Sequence, residues 1–151
     1  MRFASAAAFA LAAASSLGAQ TIPDLGTATP IAGNWAYVAT ADGSEASFAN
    51  ASGVPQLWLH CSRATRRVSI AKAASSVVPM LNVWTSSLTR SAPASFNPST
   101  GRLTIDLAAS DPLLDAISSS RGRIGFGIAG QPPLVIPAWA EAARVIEDCR
   151  A

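Results

Sequence analysis

Two cysteines, Cys61 and Cys149, are the only thiols in the 151 residues, and a bond between them would close a loop of 149 − 61 = 88 residues. In an oxidising compartment an even pair reads as a disulfide, and the alternative is two buried free thiols. Chain-entropy arithmetic gives such a loop about 4–5 kcal/mol as an upper expectation. That is a large share of the roughly 5–15 kcal/mol that holds a domain folded. The pair therefore constrains the fold more than any other feature, provided the chain is exported.

The N-terminus supplies that condition. Met1 to Gln20 reads MRFASAAAFALAAASSLGAQ: one basic residue, Arg2, then an apolar run closed by small residues. This is the pattern of a secretory signal peptide. The run is shorter than the roughly 20 apolar residues a spanning helix needs. Cleavage is placed after Ala19, with Ala12 to Ala14 the alternative. No cysteine follows the run, so a lipid-anchored N-terminus is not indicated.

The chain then divides into a signal peptide (1–19), a flexible leader (20–33) and one β-rich domain (34–151). Removing the first 19 residues leaves 151 − 19 = 132, a length that suits one domain with a real core. Arg2 leaves with the signal, so 11 − 1 = 10 basic residues face 9 acidic ones. Nothing in that near-neutral balance argues for nucleic acid or an anionic membrane surface, and no nucleic-acid partner is expected. No second apolar stretch reaches transmembrane length. The protein is expected outside the cytoplasm, periplasmic or secreted.

From Trp35 onward short alternating segments are separated by turn signals. Trp35–Thr40 and Glu45–Ala49 flank an Asp42-Gly43 turn, a strong hairpin signal. In PQLWLHC, residues 55–61, Leu57, Leu59 and Cys61 share one strand face while Trp58 and His60 share the other, because a strand has period two. Val68 and Ile70 follow, then Leu81, Val83 and Thr85, then Leu103, Ile105 and Leu107, then Ile124, Phe126 and Ile128, and a short apolar run from Leu134 to Ile136. Asp111-Pro112 opens a short helix as N-cap and first residue. Pro137 opens the last one, with Trp139, Ala142, Ala143, Ile146 and Cys149 at helical spacing. Cys149 on that stripe and Cys61 on an inward strand face would meet if the helix packs onto the sheet. The fold expected is α+β and β-dominated: a sandwich or open barrel of about seven short strands, with one short helix and a C-terminal helix stapled by the disulfide.

Several segments carry a resemblance: Asp111 to Asp115, Ser120 to Arg123, Leu134 to Pro137, Ala142 to Arg150, Gly33-Asn34-Trp35 and Cys61-Ser62-Arg63. Together they look like a group of uncharacterised small secreted alphaproteobacterial proteins, which brings no assigned activity. In architecture alone the chain is similar to the periplasmic invasion-associated locus B family and to accessory periplasmic proteins of type VI secretion. The resemblance implies an exported envelope protein and assigns no catalytic residue.

The candidate constellations are few. His60, the single histidine, adjoins Cys61 on a strand, so the two point to opposite faces and form no thiolate–imidazole pair. One histidine also leaves too few ligands for a metal site. Gly125-Phe126-Gly127-Ile128-Ala129-Gly130 spells G-x-G-x-x-G, but it lies in a strand pattern and Gln131-Pro132-Pro133 follows, so no helix N-terminus meets a pyrophosphate. Its glycines instead clear one strand face for a bulky neighbour such as Trp139. No cofactor and no metal are expected. A glycosidase-like carboxylate pair across the fold stays open, since sequence does not show it.

Arg63, Arg66 and Arg67 crowd a hairpin tip, and Arg121 and Arg123 flank Gly122. Either group binds an anion or an acidic partner, or is a charged turn that keeps a sheet edge soluble. In the first case, replacing the three hairpin arginines by serine should leave the melting temperature nearly unchanged. Trp58 and Trp84 lie opposite the leucine faces of their strands. They are core if their sheet is covered on both sides and a binding surface if it is covered on one. The functional expectation is a non-catalytic envelope protein that binds a protein or a cell-wall component. The alternatives are a structural or secretion-accessory factor and an enzyme of unrecognised type.

Overall fold

A computed structural model describes residues 25–151, so the segment read as a signal peptide and the first residues read as leader lie outside the described part. Ten strands and two helices follow in chain order: β1 (Gly33–Ala39), β2 (Gly43–Asn50), β3 (Pro55–Ser62), β4 (Arg67–Ala73), β5 (Met80–Trp84), β6 (Thr89–Pro93), β7 (Ser95–Asn97), β8 (Arg102–Ala108), α1 (Pro112–Ser118), β9 (Arg123–Gly127), β10 (Leu134–Pro137) and α2 (Ala140–Asp148). They form a six-stranded sheet in the order β1-β2-β3-β4-β8-β7 and a four-stranded sheet in the order β10-β9-β5-β6. Neither sheet closes into a barrel. The β-dominated α+β architecture read from the sequence is the one the chain adopts.

The period-two pattern decides what is inside. Phe48, Leu57, Leu59, Cys61, Val68, Ile70, Leu103 and Ile105 all point to one face of the larger sheet and are almost wholly buried. Leu81, Val83, Ile124, Phe126 and Ile136 of the smaller sheet join the same core. Trp35 meets Phe48 edge to face, ring centroids 5.7 Å apart. The two helices share this layer: α2 packs on β1, β2 and β3, and α1 packs on α2. One face of the six-stranded sheet is therefore covered by helices and the second sheet, while the other is left to solvent.

The Asp42-Gly43 hairpin forms where its sequence places it, with the Thr40 and Gly43 backbones bonded to one another. Gly43 is needed there because a β-carbon would collide with the Cys61 carbonyl on the neighbouring strand. Asp111 caps α1 by accepting from the Leu113 amide at 2.8 Å. The disulfide forms between Cys61 on β3 and Cys149 at the C-cap of α2, with their Cα atoms 5.4 Å apart.

Some expectations change. Pro137 does not open the last helix. It ends β10, paired with Arg123, and α2 begins only at Ala140. Trp139 is 45 % exposed rather than on the buried stripe, where Val145 stands with Ala142 and Ile146. The neighbour that needs Gly125 is Leu25, not Trp139: a β-carbon at Gly125 would overlap the Leu25 side chain. Leu25 is itself buried, the Ile31 amide bonds the Val135 carbonyl at 2.8 Å, and Arg123 bonds the Ala28 carbonyl. Residues 25–31, part of the segment read as leader, thus lie along the outer side and edge of the smaller sheet, while Gly33 already belongs to β1. β6 and β7 are additional strands. Each is an edge strand with at most one buried residue, so neither shows an alternation to read.

Candidate binding site

The hairpin-tip arginines are largely absorbed by the fold. Arg67 bonds Asp106 on β8 through Nε at 2.6 Å and the Asp106 carbonyl through Nη2 at 2.8 Å. Arg66, whose backbone takes the left-handed conformation (φ 51°), donates to the Arg150 carbonyl just past α2 at 2.8 Å. Replacing all three arginines would therefore remove a cross-strand tie and a helix-end tie, and is not a neutral surface change. Arg63 remains outward, near the Asp148 carboxylate. Arg123 is held by the Ala28 carbonyl, which leaves Arg121 as the exposed arginine of its turn. Arg63 and Arg121 sit on turns in front of different sheets, after β3 and before β9.

Trp58 and Trp84 do not share a surface. Trp84 lies on the outer side of the smaller sheet, directly across from Gly125, where Leu25 also packs. Trp58 lies on the uncovered face of the six-stranded sheet and is half-buried there. What half-buries it is a residue the sequence reading did not single out. Arg102 on β8 reaches across β4 and lays its guanidinium over the Trp58 ring, 3.6 Å from the centroid. Ala71, the small outward residue of β4 between Trp58 and Thr104, is only 8 % exposed beneath them.

Beside this stack the sheet face is concave. The hollow has a volume of about 410 Å³, and its lining includes His60, Ser69, Asn97, Thr100 and Thr104 as well as Trp58 and Arg102. Strand register explains the shape. In the middle of β4 the outward residues are Ser69 and Ala71, both small; Ser69 lies between His60 on β3 and Asp106 on β8, and Ala71 between Trp58 and Thr104. A sequence signal for this existed in the alternation of β8, whose outward positions carry Arg102, Thr104 and Asp106. Nothing local revealed that Arg102 would cross β4 to reach Trp58.

His60 closes the other end. Its Nε2 lies 3.0 Å from Asp42 Oδ2 and its Nδ1 lies 3.8 Å from Glu45 Oε2. The Thr40 hydroxyl and then the His60 ring bond the Asp42 carboxylate and hold it below the usual carboxylate range. Nε2 is thus engaged by Asp42, while Nδ1 faces Glu45 at ion-pair distance.

The guanidinium chemistry is the opposite. Among the described residues, no hydrogen bond or ion pair engages the Arg102 guanidinium, while Arg66, Arg67, Arg90, Arg123 and Arg150 all have acceptors. Arg102 is thus oriented by an aromatic ring with its planar fork of donors unused. Such a fork fits a carboxylate or phosphate in two parallel bonds. No helix among the described residues is long and apolar enough to cross a membrane. Compared with family models, curated proteins and solved structures, the chain matches none of them.

Proposed function

We propose that the chain is an exported, non-catalytic binding domain that holds a protein or cell-wall component of the cell envelope on the outer face of its six-stranded sheet. The observation that carries the reading is the Trp58–Arg102 stack: a cation fixed at 3.6 Å over an indole, with no acceptor of its own, at the rim of a polar hollow. A stacked cation of this kind contributes about 0.5–1 kcal/mol at an exposed site, which favours the stacked arrangement about two- to fivefold before any ligand arrives. Export is supported by the N-terminal pattern of the sequence and by the disulfide, a bond that persists in oxidising compartments.

The test is sedimentation of the purified mature protein with washed envelope fragments. The wild type is expected to sediment with the fragments at low salt and to be released as salt rises, because exposed charge is screened. Arg102→Ala and Trp58→Ala should stay in the supernatant. Variants that sediment as the wild type does, with the same salt response, would remove this face from consideration.

A further inference from the structure

We infer that the ligand of the Trp58–Arg102 hollow is an acidic saccharide, a chain of sugar rings bearing carboxylates. The inference rests on the binding role proposed above and adds the chemistry of what is bound.

Three observations lead to it. The first is the lining. Ser69, Thr100 and Thr104 offer hydroxyls, Asn97 offers an amide, and Ala71 is the sole aliphatic residue in the hollow. Hydroxyl-rich walls match a hydroxyl-rich ligand, and the apolar part of the lining that Trp58 and Ala71 supply suits the C–H faces of sugar rings. The Asn97 carbonyl oxygen is already taken by the backbone and hydroxyl of Ser99, which leaves its NH₂ group to donate.

The second is charge. Arg102 carries unused donors, so the ligand needs an oxyanion at that point. Glu45 lines the same hollow near His60. A singly charged carboxylate is repelled by it less than a doubly charged phosphate would be.

The third is extent. The hollow runs across the outer face from Glu45 on β2, over β3, β4 and β8, to Asn97 on β7. Four strand spacings are about 19 Å, a trough long enough for an extended polymer laid across the strands.

The experiment uses the mature protein with tetragalacturonic acid as the acidic probe and its methyl ester as the uncharged control, followed by calorimetry and by the indole signal of Trp58. The acid should bind and shift the Trp58 signal, and the ester should bind at least about tenfold more weakly. Arg102→Ala should lose about tenfold or more for the acid and change little for the ester, while Trp58→Ala should weaken both. Arg102→Lys keeps the charge without the flat stack and should fall between. An intact disulfide and an unchanged circular dichroism spectrum show that each variant is folded. Equal affinity for acid and ester, or an Arg102→Ala variant that binds the acid as the wild type does, would overturn the inference. If envelope sedimentation depends on Arg102 but neither sugar binds, the ligand class is wrong and the site stands. If sedimentation is also independent of Arg102, both fall together.

Discussion

Lys72, the chain's single lysine, occupies an inward position of β4 between Leu57 and Leu103, the two residues it faces across the sheet. Only 8 % of it is exposed, and its ammonium is held by one bond, 3.0 Å to the Ala73 carbonyl. Burial disfavours the charged form and pulls its pKa below the ordinary lysine value of 10.5. The sign of the pH effect follows. Between the depressed folded value and 10.5 the unfolded chain binds the extra proton, so stability rises with pH across that window and carries a constant cost below it. Lys72→Met keeps the length of the stem and removes the charge. It should raise stability at pH 7 by about 1 kcal/mol and flatten the rise toward pH 10. Urea midpoints of both proteins from pH 7 to 10 measure this. A variant less stable than the wild type at pH 7, with the same slope, would show that the ammonium is better solvated than its position implies. Asp111 shows the opposite outcome. Burial resists its ionisation, but the Arg90 guanidinium at 2.9 Å and the Leu113 amide outweigh burial and hold its pKa low.

At the scale of elements, the leader and the smaller sheet belong together. Leu25 fills the notch left by Gly125, and Ile31 bonds the backbone of β10, so residues 25–31 cover the sheet's outer side and one of its edges. Leu25→Ala should cost about 2 kcal/mol as a buried large-to-small change, and Gly125→Ala about 1–2 kcal/mol by overpacking. The two should be non-additive, because alanine at position 125 clashes only while Leu25 is present. A double variant about as stable as Leu25→Ala alone is the expected result of a double-mutant cycle, and strict additivity would place Leu25 elsewhere. These contacts also show what sequence can and cannot reveal. β3, β5 and β8 were legible because each buries alternate large apolar residues, and α1 because Asp111-Pro112 is a local start signal. The leader was not, since Leu25 and Ile31 are isolated apolar residues among Pro, Gly and Thr, with no period to detect. β6 and β7 expose most of their residues, and Pro137 carries the same local preference whether it ends a strand or begins a helix. The binding hollow was half legible. The outward position of Trp58 follows from period two, but its partner Arg102 lies 44 residues further on (102 − 58) and is brought near only by the β3-β4-β8 order.

At the scale of the molecule, the disulfide encloses everything from β4 to α2, including both helices and the whole smaller sheet, and leaves β1, β2 and the leader outside. Non-covalent ties surround it. The Trp35 indole donates to the Pro137 carbonyl at 3.0 Å, the Tyr37 hydroxyl donates to Asp148 at 2.6 Å, and Arg144 stacks 3.9 Å above the Tyr37 ring. Beyond the helix end, Arg150 bonds the Ala109 carbonyl and Asp115. These bonds hold α2 to β1 and to the α1 region without the sulfurs, so breaking the disulfide should act mainly on the unfolded chain. For a loop with a separation of 88 residues the entropic model gives about 4–5 kcal/mol. At the roughly 3–5 °C per kcal/mol expected of a domain this size, the Cys61→Ala/Cys149→Ala variant should melt more than about ten degrees lower. Its native circular dichroism should be retained at 25 °C, because the bonds from Tyr37 and Arg150 still seat the helix. Loss of the folded spectrum at 25 °C would mean that the covalent bond, and not those contacts, positions α2. Two freely alkylated thiols in the native protein would remove the staple altogether.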